Sequence, residues 1–296
     1  MPPDESNANG GAKPVFHMGP CSFEVESRYL TLQLRGSNDI LDDSEALRKR
    51  LNEDGFLFLR GFHDRDEVLN VRRDILRIMA TTGELDPDPP LMEGVINPAA
   101  TTQATVSTKG RESLKTDSLK RLLYGPRPAE FFRKLFATEP KAYQFQWLRA
   151  GGHGAGSTIH ADVVYMGRGT KRLCTIWTPL GDIPPEQGPL VLCLGSHRWD
   201  RVSGSYGQAD VDRDRIPGHF TESPAELVEH FGGRWATASM RAGDAVIVNM
   251  FLLHASLMNT TNRYRISLDS RWQPAGEPMD DRWSGETPAG HSELWK

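Results

Sequence analysis

The sequence is poor in cysteine. Three stand in 296 residues, Cys21, Cys174 and Cys193, and no two form a C-x-x-C pair. That excludes a disulfide framework and fits a reducing compartment. Cys174 and Cys193 lie in apolar, strand-like runs and are expected to be buried. Long apolar runs are also missing. None reaches the roughly 18 residues of a membrane span, and the longest candidate, "AVIVNMFLLHAS" from Ala245, carries Asn249 and His254. The opening "MPPDESNANGGAKP" lacks the basic-then-apolar order of a secretory leader, so the expected location is the cytoplasm. There is no basic surplus: the net charge is −4, which leaves nucleic acid without its electrostatic footprint. Strands and helices do not alternate, which excludes a doubly wound sheet, and there is no internal repeat. The expected partner is a small molecule, with neither nucleic acid nor membrane. No feature of the sequence sets an oligomeric state.

What is present divides the chain by texture. Residues 1–14 are rich in Pro, Gly, Asn and Ser and read as a flexible tail. Residues 15–296 read as one domain, helical to about 140 and with a jelly-roll core over about 141–273. "DDSEALRKRLNEDG" predicts a helix capped by Asp43 or Ser44 and stopped at Gly55. "FLFLRGF" is a short buried strand. "DRDEVLNVRRDILRIMATTG" predicts a second helix, with Val68, Val71, Ile75, Ile78 and Met79 on one face and Gly83 as its stop. Residues 84–110 read as a long loop, and helices are expected near 112–123 and 127–137. Beyond 140, "YQFQWLRA", "RLCTIWTPL", "PLVLCLG", "RWATASM", "AVIVNMFLL" and "RYRISLDSRW" are strand-like. "SPAELVEHFGG" interrupts them as a helix, with Ser223 as cap, Pro224 at its first position and Glu226 completing a capping box. Helices first and strands later predict a mainly β fold, a sandwich or jelly roll with helices on one side.

The chemistry starts in "STIHADVVYM", residues 157–166. Read as a strand, it places His160 and Asp162 on one face. His254, closing the apolar run "AVIVNMFLLH", is costly to bury without a partner. Two histidines and one carboxylate can form the facial triad that binds non-haem Fe(II) and leaves positions open for a co-substrate and O2. Arg265 follows 11 residues after His254, and a hairpin would return it to the site. Its guanidinium fork, with Ser267 on the same strand face, suits the distal carboxylate of a dicarboxylic acid.

These features together resemble the phytanoyl-CoA dioxygenase family of Fe(II)- and 2-oxoglutarate-dependent oxygenases. The metal motif is "HAD" at 160–162 with His254, and the co-substrate motif is "RIS" at 265–267. "DGFLFLRGF" and "EQGPLVLCLGSHRW" at 186–199 are also similar, with Gln187 and Leu194 where the family has Asn and Pro. The resemblance covers roughly 45–272. It implies a double-stranded β-helix (cupin-like jelly roll) and a reaction in which 2-oxoglutarate becomes succinate and CO2 while a C–H bond is oxidised. It implies His160, Asp162 and His254 as metal ligands and Arg265 and Ser267 as co-substrate residues. Ser256, Trp177 and Gln144 are further candidates for the co-substrate pocket. His197 and His153 are expected to have other roles. Asp162 stands where related halogenases have a small residue, which favours hydroxylation. The substrate is expected to be a small or medium metabolite, beneath loops at 84–110 and 199–222. The stretch "STKGRESLK" at 107–115 is a weak candidate for phosphate contacts.

Two other readings compete. A non-catalytic jelly-roll protein with a relict metal site leaves the complete set of four residues unexplained. A zinc hydrolase using the same triad and a water leaves Arg265 without a role and lacks an assignable general base.

Overall fold

The computed structural model describes residues 12–100, 105–107, 116–286 and 288–291. In chain order its strands are β1 (Val15–Met18), β2 (Cys21–Glu24), β3 (Leu30–Thr31), β4 (Phe56–Leu59), β5 (Thr105–Ser107), β6 (Pro140–Ala142), β7 (Trp147–Gly151), β8 (Cys174–Pro179), β9 (Leu190–Cys193), β10 (Trp235–Ala236), β11 (Ala245–Asn249), β12 (His254–Ser256) and β13 (Arg265–Pro274). Its helices are α1 (Ser44–Asp54), α2 (Arg65–Thr81), α3 (Asp117–Tyr124), α4 (Pro126–Phe136), α5 (Val163–Met166), α6 (Asp200–Ser203) and α7 (Pro224–Glu229). The large sheet runs β4-β11-β8-β13-β7-β5, with β6 on the far end of β13. The small sheet runs β12-β9-β10-β3.

Strand alternation sorts the two faces of the large sheet. Phe56, Phe58, Trp177, Val246 and Val248 point inward and meet Leu190 and Leu192 of β9. Leu57, Leu59, Ile176, Ala245, Ile247 and Trp272 point outward onto α1 and α4. Leu148, Ala150, Ile266 and Leu268 point outward onto α2 and α3. Two facing sheets with helices on one outer side are the double-stranded β-helix expected from the sequence.

The helix ends follow their cap residues. Asp43 accepts from the N–H groups of Glu45 and Ala46, and Gly55 closes α1 at φ 80°. Asp64 caps α2 in the same way. Ser223 caps α7, but the box is relayed: Glu226 accepts from the Thr221 hydroxyl at 2.5 Å, and that hydroxyl accepts from Ser223 N–H at 3.1 Å.

Several expectations are corrected. The strand expected at "FLFLRGF" is β4, and β3, not anticipated, also joins the core sheets, so the segment before 140 is more than helical. The loop at 84–110 contains β5, which pairs with β7, and a bridge between Leu85 and Ile96. The helix expected near 112–123 is seen from Asp117 to Tyr124, and 112–115 lie outside the described residues, as do most of 107–115 and of the 1–14 tail. The strand expected over 245–253 stops at Asn249. The Asn249 side-chain oxygen accepts from Phe251 and Leu252 N–H, both at 3.0 Å, and this Asx turn breaks the strand. His254 therefore opens β12 in the small sheet instead of closing β11 in the large one. β12 and β13 form no hairpin; Arg265 pairs with Gly151 of β7.

Candidate active site

"STIHADVVYM" is not a strand. His160 makes one antiparallel bridge with His254, with backbone bonds of 3.1 and 2.9 Å. The ladder ends there because the opposite chain turns at Met250–Leu252. Asp162 takes helical angles and starts α5, where Val163 N–H reaches the Met250 carbonyl at 2.9 Å. The bridge and the turn, not strand alternation, bring His160, Asp162 and His254 together.

Their donor atoms lie within 4.8 Å of one another. His160 Nδ1 is 2.9 Å from the Thr158 carbonyl, and His254 Nδ1 is 2.9 Å from the Leu252 carbonyl. A carbonyl can only accept, so each Nδ1 carries a proton, and in the neutral ring the lone pair is left on Nε2. Both Nε2 atoms lie 4.0 Å from Asp162 Oδ1, too far for a hydrogen bond. Burial lowers the His160 pKa to about 4, with His254 adding to it, which keeps the ring neutral. Asp162 is 2% exposed. Burial alone would raise its pKa, but Arg271, both histidines and the Thr175 hydroxyl hold it well below the usual carboxylate range. Two imidazoles and one carboxylate converging on one point are the donor set of a divalent-metal site.

The inward face of β13 continues the site as a polar row, Arg265, Ser267, Asp269 and Arg271. Arg271 lies 3.7 Å from Asp162 and 3.6 Å from Asp269. Asp269 also pairs with Arg149 of β7. Arg265 is 5% exposed, and its Nη1 donates to Ser267 Oγ at 2.9 Å. Burial, then Arg149, lowers the Arg265 pKa to about 10. Arg265 Nε, Asp269 Oδ1 and Arg271 Nε are buried without a hydrogen-bond partner among the described residues, and such groups mark a place for a ligand or water. Gly151 stands opposite Arg265, and a Cβ there would come within 3.2 Å of the guanidinium.

The remaining candidates separate. Ser256 is buried two residues along β12 from His254, on the same strand face. Trp177 faces inward two residues along β8 from Thr175 and packs with Leu190 and Leu192 of β9. Gln144 is not brought to the cluster: it is exposed, and its side chain accepts from Gly285 N–H at 3.1 Å. His197 bonds the Asn52 carbonyl at 3.0 Å and His153 the Thr261 carbonyl at 3.2 Å. The 199–222 segment packs against the metal motif, with Tyr206 Oη accepting from Ala161 N–H at 3.2 Å and Phe220 N–H bonding the Ile159 carbonyl at 2.8 Å. Thr175, Arg149, Asp269 and Arg271 were missed. For the last two a signal existed, since in "RISLDSRW" every second residue from Arg265 to Arg271 is polar or charged.

The phytanoyl-CoA dioxygenase (PhyH) family model matches residues 51–267. The chain belongs to the phytanoyl-CoA dioxygenase family. It is an Fe(II)- and 2-oxoglutarate-dependent oxygenase. It is similar to the 1-deoxypentalenic acid 11-beta-hydroxylase of Streptomyces exfoliatus, at 27% identity over 80% of this chain and 83% of the relative. The enzyme of the same name from Streptomyces arenae is 26% identical, with the same coverage. Among solved structures it resembles the epimerase SnoN in complex with Fe3+, alpha-ketoglutarate and nogalamycin RO (TM-score 0.57, 21% identity, 83% of this chain and 93% of that one). It also resembles EctD from S. alaskensis (TM-score 0.58, 20% identity, 88% of each). The likenesses to these structures show a shared fold. The oxygenase has no helix among its described residues long and apolar enough to cross a membrane.

Proposed function

We propose that this oxygenase couples decarboxylation of 2-oxoglutarate to hydroxylation of a C–H bond in a small organic acid. His160 Nε2, Asp162 and His254 Nε2 hold the iron. The observation that carries this is the pair of Nδ1–carbonyl bonds, which leaves both Nε2 lone pairs facing the Asp162 carboxylate. When bound, the iron supplies activation of O2 and of the 2-oxo acid. The chain does the rest by position and charge. Thr175 and Arg271 keep Asp162 ionised and aimed. Arg265 and Ser267 receive the remote carboxylate of 2-oxoglutarate, which would satisfy the unpartnered Arg265 Nε. Ser256 and Trp177 complete the wall of that pocket, and Gln144 takes no part.

Charge balance favours an acidic substrate. Among the described residues, Arg149, Arg265 and Arg271 lie with Asp162 and Asp269 about the site, an excess of one positive charge carried by the part-exposed Arg149. A divalent ion and a dianionic co-substrate leave that excess unchanged, and an anionic substrate cancels it. The acid named for the two curated relatives agrees. The reducing cytoplasm suits both Fe(II) and the buried free thiols of Cys174 and Cys193.

The test is spectroscopic. Under nitrogen, Fe(II) plus 2-oxoglutarate should give a visible charge-transfer band, and His160→Ala should lose it. A full-intensity band in that variant removes His160 from the ligand set, and catalytic turnover that persists without O2 favours a hydrolase.

A further inference from the structure

The family match ends at residue 267, yet the chain beyond β13 returns to the metal triad. Trp283 is 1% exposed. Its ring lies 5.2 Å from Trp147, 5.1 Å from Phe145 and 4.8 Å from His291. His291 lies 5.6 Å from Tyr165, and Tyr165 lies 5.3 Å edge-on to His160. On the other side, Arg271 stacks on Trp147 at 3.8 Å and lies 3.7 Å from Asp162. The contacts close a circuit: His160, Tyr165, His291, Trp283, Trp147, Arg271, Asp162. Trp147, Tyr165 and His291 are only half-buried, as is His160. Trp283 is the buried post behind them.

The segment is bolted down. Arg282 pairs with Asp280 at 2.6 Å, with Asp210 at 3.2 Å and with Asp212, while Asp280 is fully buried. Trp283 Nε1 donates to the Tyr165 carbonyl at 3.3 Å, and Gly290 N–H to the Arg282 carbonyl at 2.8 Å. His291 Nδ1 lies 3.2 Å from Asp212. A buried ionic cluster is weak as a source of stability, but it fixes geometry.

We propose that the described residues after β13, 280–286 and 288–291, form the specificity wall of the active site, with His291, Tyr165 and Trp147 lining an aromatic cup over the metal triad that takes a compact, ring-based organic anion. Trp283 is the positioning residue. A rigid ring body touches walls on several sides at once and loses little freedom, whereas a flexible chain must freeze several bonds to do so. Arg149, part-exposed beside Asp269, supplies the cation at the edge. This rests on the oxygenase reading above.

The experiment is calorimetric titration of the Fe(II)/2-oxoglutarate holoenzyme under nitrogen with adamantane-1-carboxylate and, in parallel, n-decanoate. The charge-transfer band is recorded for every variant. The parent should bind the adamantane acid at least tenfold more tightly. His291→Ala and Trp283→Ala should weaken that binding about tenfold or more while keeping the band, and Trp283→Phe should recover part of it. A parent that prefers decanoate or binds neither acid overturns the proposal. So do His291→Ala and Trp283→Phe proteins that both bind as the parent does. Loss of the band in the parent instead overturns the metal-site reading, so the two failures are distinct. A Trp283→Ala protein that loses both band and fold leaves the other two variants to decide.

Discussion

Arg265 is buried, bonded to Ser267, and has an Nε that no described acceptor meets. A guanidinium in that state is costly unless a carboxylate completes it. Truncating one side of such a pair typically costs about 2–5 kcal/mol, on the order of 30- to several-thousand-fold in affinity. Arg265→Ala should therefore raise the KM for 2-oxoglutarate by that range and leave the Fe(II) affinity nearly intact. Arg265→Lys should recover only part, since lysine keeps the charge and loses the fork. Parallel titrations of succinate formation with 2-oxoglutarate and Fe(II) check this; an unchanged KM in Arg265→Ala sinks the assignment. The Arg265–Ser267 pair was legible because it is local to one strand. The pairing of Arg149 with Asp269 was not, because its partners are 120 positions apart.

At the scale of elements, the "EQGPL" turn shows how a connection positions the site. Gln187 is buried, and its side chain donates to the Tyr264 carbonyl at 3.0 Å. Gly188 has φ 75°, and a Cβ there would meet the Leu257 carbonyl oxygen at 2.5 Å and Asn259 N at 3.0 Å. Only glycine combines that backbone angle with that approach. The turn clamps the 257–264 crossing that carries the chain from β12 to β13, hence from His254 to Arg265. Gly188→Ala should cost on the order of 2–4 kcal/mol, read as a lower urea midpoint, and should also weaken 2-oxoglutarate binding as β13 shifts. A parent-like midpoint would show that the clamp is dispensable. The cap residues of α1 and α2 were readable in advance because a cap is a contact over two or three positions. The break of the apolar run at Asn249 was not, because the residues around it are apolar and Asn249 shows its turn role only once its side chain is placed.

For the whole molecule, the triad joins three parts of the fold: the His160 bridge, the cap residue of α5 and β12. An ion bound only by the native state stabilises it by about 2.7 kcal/mol at 100 times its Kd, roughly 4 °C in a chain of this size. Adding a redox-inert divalent ion should raise the melting temperature by that amount, and a chelator should reverse it. Asp162→Ala and His254→Ala should each lose most of the rise. A rise of the same size in both variants would place the ion elsewhere.

The sequence by itself determined the donor types, the helix caps, the inward and outward alternation of the strands and the "RIS" pair. All are set by short-range stereochemistry, which a linear pattern records. Tertiary structure alone decided that His254 lies in the sheet opposite Arg265, that Asp162 turns on a helix start, and that Arg271 and Thr175 hold its carboxylate. It also decided that the C-terminal segment returns to the triad. Each of these depends on strand pairing and register between distant segments, and register is a collective property of packed sheets that no local window of sequence contains.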